Sequence, residues 1–425
     1  MYGIFKVYGA SIKSEIPFGR TERISMKQTW RWFGPSDRVT LRDAKEAGAS
    51  DIVTALHEIP AGDVWPIELI RQRKEEIRNA GLEWSVVESL DISECIKMRG
   101  PGWQQHIKNF VQSLRNLAAC QIHTVAYNWM PLFSWMRTHL HEPAPHGGFT
   151  TRFNAVAFAA FDLYMLKRTG AEVDWGEECS RAAHAYLSRL SSTEADDLQQ
   201  TILQGLPGGN GAFTLQGVRD LLASYAGLGA KELQENLRDF LISVCPVAEE
   251  VGVSLCIHPD DPPRPLLGLP RIASTTPDLE WILDQYPGKA NSLTFCTGAL
   301  GVRADNDLLS MVRAFAPRIG FFHLRSTQRE PATLPGIPES FFEAAHLEGD
   351  ADLIAIMIEI VKEERRRQAE GNYVQLPFRA DHGQELLNDR ERAAAPGYPA
   401  VGRLRGLAEL RGALFMAERL LTKVE

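Results

Sequence analysis

Four apolar runs in this chain each lead into a side chain that binds divalent metal: Ser254-Leu255-Cys256-Ile257-His258, Ser292-Leu293-Thr294-Phe295-Cys296, Gly320-Phe321-Phe322-His323 and Val374-Gln375-Leu376-Pro377-Phe378-Arg379-Ala380-Asp381. Imidazole, thiolate and carboxylate are strong donors, and two histidines, one cysteine and one aspartate suit a first-row divalent ion. The carboxylate argues against a purely soft metal. A catalytic Mn²⁺ or Fe²⁺ with open positions is therefore expected in preference to a closed structural zinc. Each residue alone has an ordinary reading, as a hydrogen-bonded core histidine or a packed cysteine. Their joint occurrence at four strand ends points to one shared ion.

Strand periodicity refines the set. Side chains two apart share a face, so Cys256 pairs with His258, His323 with Arg325, and Arg379 with Asp381. In a barrel the earlier member faces the packed interior and the later one reaches the mouth, which makes Cys256 structural and lets Arg325 approach an anionic substrate. The stiff polar loop His258-Pro259-Asp260-Asp261-Pro262-Pro263-Arg264 and the glycine-bearing loop from Cys296 through Arg303 to Asn306 each bring an arginine. A guanidinium is a natural carboxylate clamp. Asn128, ending the fourth strand, and His57, after the second, are candidates for sugar hydroxyls. His382 stands beside Asp381 as a candidate general acid or base. Tyr398, in Pro396-Gly397-Tyr398-Pro399, offers a second proton donor or acceptor where a nearby cation lowers its pKa.

The elements that must position these groups follow a strand-then-helix rhythm. Strands are expected at 28–32, 51–55, 83–88, 124–128, 254–258, 292–296, 319–324 and 374–378, with amphipathic stretches such as 66–80, 106–119 and 278–285 between them. Gly48, Gly81 and Gly252 fall where left-handed caps close helices. Eight such units without a hairpin signal predict an α/β fold, a parallel (β/α)8 TIM barrel of one domain over 26–425. From about 131 to 230 no strand is expected; helical patterns at 154–166, 177–190 and 193–203 and a loop at 207–211 suggest a helical insertion after the fourth strand. It is expected to cover the mouth or to join copies of the chain, which favours a homo-oligomer (dimer or tetramer). A proline-rich excursion at 328–344 has the composition of a flap. Residues 1–25 are expected to be a loosely ordered extension or the product of an upstream start.

The 425 residues are 44% hydrophobic and 24% charged, as in a globular protein with a large core. A net charge of −8 with no long basic run disfavours a nucleic-acid role. Six cysteines without a CxxC pair suit reduced thiols and a cytoplasmic location. No apolar stretch approaches the roughly 18–20 residues that span a bilayer, so no membrane partner is expected.

Several longer strings, among them Gln28-Thr29-Trp30-Arg31-Trp32-Phe33-Gly34, Trp84-Ser85-Val86-Val87-Glu88-Ser89, His258 to Arg264, Gly301 to Asp307 and His323-Leu324-Arg325-Ser326, closely resemble the D-mannonate dehydratase family. The resemblance runs from about Met26 to near the C-terminus. It implies a xylose-isomerase-like barrel in hexuronate (glucuronate) catabolism, a sugar-acid substrate, and a hydro-lyase that converts D-mannonate to 2-keto-3-deoxy-D-gluconate. It also implies metal ligands at His258, Cys296, His323 and Asp381, with a catalytic pair at His382 and Tyr398. The family usually has proline where this chain has Ala380, which removes a local stiffener but no ligand. The competing readings are a metal-dependent sugar isomerase or epimerase on the same barrel, and a non-catalytic sugar-acid binding protein.

Overall fold

The computed structural model describes residues 26–205, 213–332, 336–371 and 375–422. The 1–25 leader, the expected loop at 207–211 and Val374 lie outside them. Twelve strands are present among the described residues: β1 Lys27–Arg31, β2 Asp51–Thr54, β3 Glu83–Glu88, β4 Thr124–Asn128, β5 His139–Pro143, β6 Phe149–Phe153, β7 Ser254–His258, β8 Asn291–Cys296, β9 Ile319–Leu324, β10 Thr327–Glu330, β11 Ser340–Glu343 and β12 Pro377–Ala380. Eight of them close a parallel barrel in the order β1-β2-β3-β4-β7-β8-β9-β12. This is the expected (β/α)8 architecture.

Alternation along each strand builds two layers. Val53, Val86, Ala126, Cys256 and Phe321 meet inside the barrel. Their neighbours Ile52, Val87, Val125, Leu255 and Phe322 pack outward against the helices. Cys256 is fully buried in the inner layer, and its surroundings push its thiol up to about 12. It is structural, and the inner position of Cys256 and of Phe321 carries His258 and His323, two residues on, to the mouth. Gly48, Gly81 and Gly252 take positive φ after helices, as their positions required.

The long excursion after β4 is not wholly helical. It holds β5 and β6, an antiparallel pair, before the helices Ala155–Ala160, Ala171–Leu187, Ser192–Gln204 and Leu215–Ser224. These strands elude periodicity because β5, His-Leu-His-Glu-Pro, lacks an apolar face. They are completed from far along the chain: β10 and β11, in the expected flap, extend the same sheet in the order β10-β11-β6-β5. A second apolar core, with Phe133, Met136, Phe153, Phe158, Phe161 and Ile202 from the excursion, includes Leu266 and Leu267 after β7, Val302 after β8 and Phe341 of β11. The excursion therefore packs on barrel loops at the mouth. Among the described residues no helix is long and apolar enough to cross a membrane.

Candidate active site

Three adjacent barrel strands and the turn after a fourth deliver the four donor side chains. Register places Cys296 of β8 beside His323 of β9, and Arg379 of β12 on the other side of His323. Ligand atoms of His258, Cys296 and His323 lie within 4.8 Å of one another. Asp381 Oδ2 is 3.6 Å from His323 Nδ1 and 3.9 Å from Cys296 Sγ. Donors held about 2.0–2.3 Å from one ion sit about 3–4 Å apart; His258, Cys296 and His323 form the mutually close set, and Asp381 stands beside it, near His323 and Cys296.

The hydrogen bonds fit the same group. The Pro259 carbonyl accepts from His258 Nδ1–H at 2.6 Å, leaving the Nε2 lone pair to face His323 Nδ1 at 3.1 Å. His323 Nε2 lies 3.4 Å from Glu88 Oε2 without a hydrogen bond, while Arg379 Nη2 donates to His323 Nδ1 at 3.5 Å, so Nδ1 carries a lone pair. A histidine ligand whose far nitrogen is held by a carbonyl or a carboxylate is the usual arrangement at metal centres. The Cys296 sulfur accepts from the Ala299 N–H and from Arg325 Nε, both at 3.4 Å. Burial alone would raise the Asp381 carboxyl, but Arg379, with His382, His323 and Arg325, holds it well below the usual range. Burial lowers the pKa of His258, favouring the neutral imidazole a metal needs.

His382 follows Asp381 in the left-handed region, at φ 57°. The Gly383 N–H donates to the Gly397 carbonyl at 3.0 Å, tying this turn to the Tyr398 loop. The His382 ring stands edge-on to Tyr398, with centroids 4.9 Å apart, and to Trp135 at 5.7 Å. Burial pushes the Tyr398 phenol up to about 12 against the opposing pull of Arg379. Arg379 does pull this phenol down, as a nearby cation should, but burial outweighs it.

A model of the D-mannonate dehydratase (UxuA) family matches residues 26–423. The chain belongs to the D-mannonate dehydratase family. A mannonate dehydratase of Chromohalobacter salexigens is 52% identical over 387 residues, which are 91% of this chain and 97% of that one. One from Rhizobium meliloti is 48% identical over 388 residues, 91% and 96% of the two chains. The crystal structure of mannonate dehydratase from Streptococcus suis serotype 2 matches with a TM-score of 0.72 at 29% identity, covering 93% of this chain and 95% of that one. Membership in the D-mannonate dehydratase family makes this chain a hydro-lyase rather than an isomerase or a non-catalytic binding protein.

The other anticipated residues separate by distance from this centre. Asn128 stands opposite His258 in the β4–β7 register and donates to Ser89 Oγ at 3.4 Å. Arg325 is buried at the centre and committed to Asp261, Glu343 and Asp381. Arg303 pairs instead with Asp305 at 2.5 Å, and Arg264 donates to the Glu339 carbonyl at 3.0 Å. His57 lies 5.8 Å from the Phe33 ring, which itself meets Tyr398.

Sequence reading missed half of the polar framework. Glu88 pairs with Arg379 at 2.9 Å and with Arg31 at 3.6 Å. Arg137 of the excursion binds Asp261 at 2.9 Å and Glu343 at 2.5 Å, with all three buried. Glu343 Oε1 also lies 3.1 Å from His382 Nδ1, which Arg325 Nη1 approaches at 3.0 Å. Glu88 had a visible signal, since it ends a strand as the ligands do. Arg137 and Glu343 lie in segments with no strand pattern, and nothing in their local sequence singles them out.

Proposed function

We propose that His258, Cys296, His323 and Asp381 hold one Mn²⁺ or Fe²⁺, and that His382 and Tyr398 move the protons as D-mannonate loses water to form 2-keto-3-deoxy-D-gluconate. The observation that carries this is the convergence of His258, Cys296 and His323 ligand atoms within 4.8 Å, with Asp381 3.6 Å from His323, beside the His382–Tyr398 pair. The setting is hexuronate (glucuronate) breakdown in the cytoplasm.

The chemistry needs three things. A hydrogen next to a carboxylate is weakly acidic, so charge that develops on its removal must be stabilised. A divalent ion bound here would act as a Lewis acid toward that charge. The hydroxyl on the next carbon is a poor leaving group and must take a proton as it departs. Tyr398, held near 12, keeps its proton at neutral pH and suits the acid. His382 suits the base: with its Nδ1–H donated to the Glu343 carboxylate, its Nε2, 3.7 Å from Asp381 Oδ1, is the nitrogen that takes a proton. Arg325 Nη1, 3.0 Å from the same nitrogen, also donates to Glu343 and holds that carboxylate in place. The enol that results tautomerises to the 2-keto acid.

Charge supports an anionic substrate. Arg31, Arg137, Arg325 and Arg379 alternate with Glu88, Asp261, Glu343 and Asp381 around the centre. A divalent ion with a Cys296 thiolate adds one net positive charge, which a single carboxylate neutralises. Arg325 and Asn128 are the proposed nearest substrate contacts, with Arg303, Arg264 and His57 farther out.

The test is purified protein with D-mannonate, chelator-treated and then given Mn²⁺, read by the periodate–thiobarbiturate colour of a 2-keto-3-deoxy acid. Colour should vanish on chelation and return with the ion. His258→Ala and Asp381→Ala should lose bound metal together with at least about a hundredfold in kcat. A metal-free His258→Ala enzyme that still turned over would refute the assignment. We also propose a homo-oligomer, supported by the exposed Leu404, Phe415, Met416 and Leu420 on helix Ala400–Thr422; a monomer in sedimentation velocity would sink that.

A further inference from the structure

We propose that Trp135 is a specificity-determining residue, its indole N–H donating a hydrogen bond to a hydroxyl that the sugar acid retains on C4, C5 or C6. The inference rests on D-mannonate being the substrate of this site, and deepens that reading.

Trp135 belongs to the excursion, not to the barrel, and is 4% exposed. Its Nε1 has no hydrogen-bond partner among the described residues. Buried N–H groups are normally paired, because leaving one unpaired forfeits its hydration. The direction of the unpaired edge is set by its neighbours. A Cβ on Gly397 would lie 3.9 Å from Trp135 Cζ2 and 3.7 Å from His382 Cγ and Cδ2. Cζ2 is two bonds from Nε1, so the N–H edge of the indole borders Gly397 and the ring of the proton-carrying histidine. The face of the ring is pinned separately: the Arg137 guanidinium carbon sits 4.7 Å from its centroid, and Asp261 and Glu343 hold that arginine. The donor is therefore held in place, desolvated and beside the His382 ring.

A substrate hydroxyl is the acceptor this geometry lacks. The carboxylate end of a sugar acid belongs with the cationic centre, and a neutral indole offers it no charge. Elimination turns the C2 hydroxyl into a ketone and expels the C3 hydroxyl, leaving those on C4, C5 and C6 to be recognised throughout. A site built to hydrogen-bond a hydroxyl rejects an analogue that lacks it.

The experiment compares the metal-loaded wild-type enzyme with Trp135→Phe, which keeps a ring and loses the N–H. Substrates are D-mannonate and its 4-, 5- and 6-deoxy analogues, with kcat and KM measured separately. Trp135→Phe should raise KM for D-mannonate and lower kcat/KM by about tenfold. For one deoxy analogue the two enzymes should be equal, because the coupled pair is then already broken. The proposal is overturned if the variant stays within twofold of wild type on D-mannonate, or loses the same factor on every analogue. Were the variant insoluble, the wild-type series still decides: no analogue losing about tenfold overturns the proposal. A wild-type enzyme making no 2-keto-3-deoxy acid from D-mannonate would instead refute the reaction itself, before any variant is compared.

Discussion

His258 and His323 approach nitrogen to nitrogen at 3.1 Å, which two lone pairs tolerate only with a proton or a cation between them. That contact gives the four-donor set physical content that spacing alone lacks. The division of labour beside it is testable one residue at a time. In deuterated water, Tyr398→Phe should still exchange the C2 hydrogen of D-mannonate, because His382 and Glu343 are intact, while dehydration falls at least about a hundredfold. His382→Asn should lose exchange and dehydration together while keeping its metal. NMR of recovered substrate reads the exchange. The opposite pattern would make His382 the acid and Tyr398 the base.

Elements hold these side chains by close backbone packing. The turn Asp381–Gln384 lies against the start of helix Ala400–Thr422, where Asp389 accepts from the Val401 and Gly402 N–H groups at 2.8 and 3.0 Å. A Cβ at Gly402 would overlap the Gln384 carbonyl, a backbone atom that cannot rotate away. Replacing a helical glycine with alanine ordinarily stabilises by about 1 kcal/mol. Here overlap should reverse the sign: Gly402→Ala is expected to destabilise by about 1–3 kcal/mol in urea unfolding. It should also cut kcat, because the carbonyl it displaces is two residues from His382. A stabilised, fully active variant would show that the turn yields freely.

The whole molecule buries a histidine it does not ionise. His346, at the exit of the β10–β11 hairpin, is 4% exposed and packs against Gly406. Burial holds its pKa down at about 4, with Glu409 opposing. The unfolded chain has a histidine pKa of about 6.5, so between these values the unfolded state binds a proton that the folded state does not. Stability from this residue is complete above about 6.5 and falls with pH, by about 1.4 kcal/mol per unit, until about pH 4. Urea unfolding at pH 7, 6 and 5 should show His346→Gln with the shallower pH dependence. Equal slopes would mean that His346 does not contribute.

The barrel was legible because most of its strands follow a local rule: a short apolar run leading to a polar side chain, with Gly48, Gly81 and Gly252 closing the helices before three of them. His258, Cys296, His323 and Asp381 were legible for the same reason, since a donor at the end of a barrel strand must reach the mouth. Arg137, Trp135 and Glu343 obey no such rule. Arg137 precedes a strand that β6 and β11 complete from elsewhere, Trp135 sits in a loop, and Glu343 becomes a partner of His382 only once β11 joins that sheet. Period and spacing along one strand suffice to read the barrel, and the rim positions of His258, Cys296 and His323, from the chain alone. Which buried arginines and carboxylates surround those donors follows from the folded chain, because charges far apart in sequence are paired when the excursion packs onto the mouth.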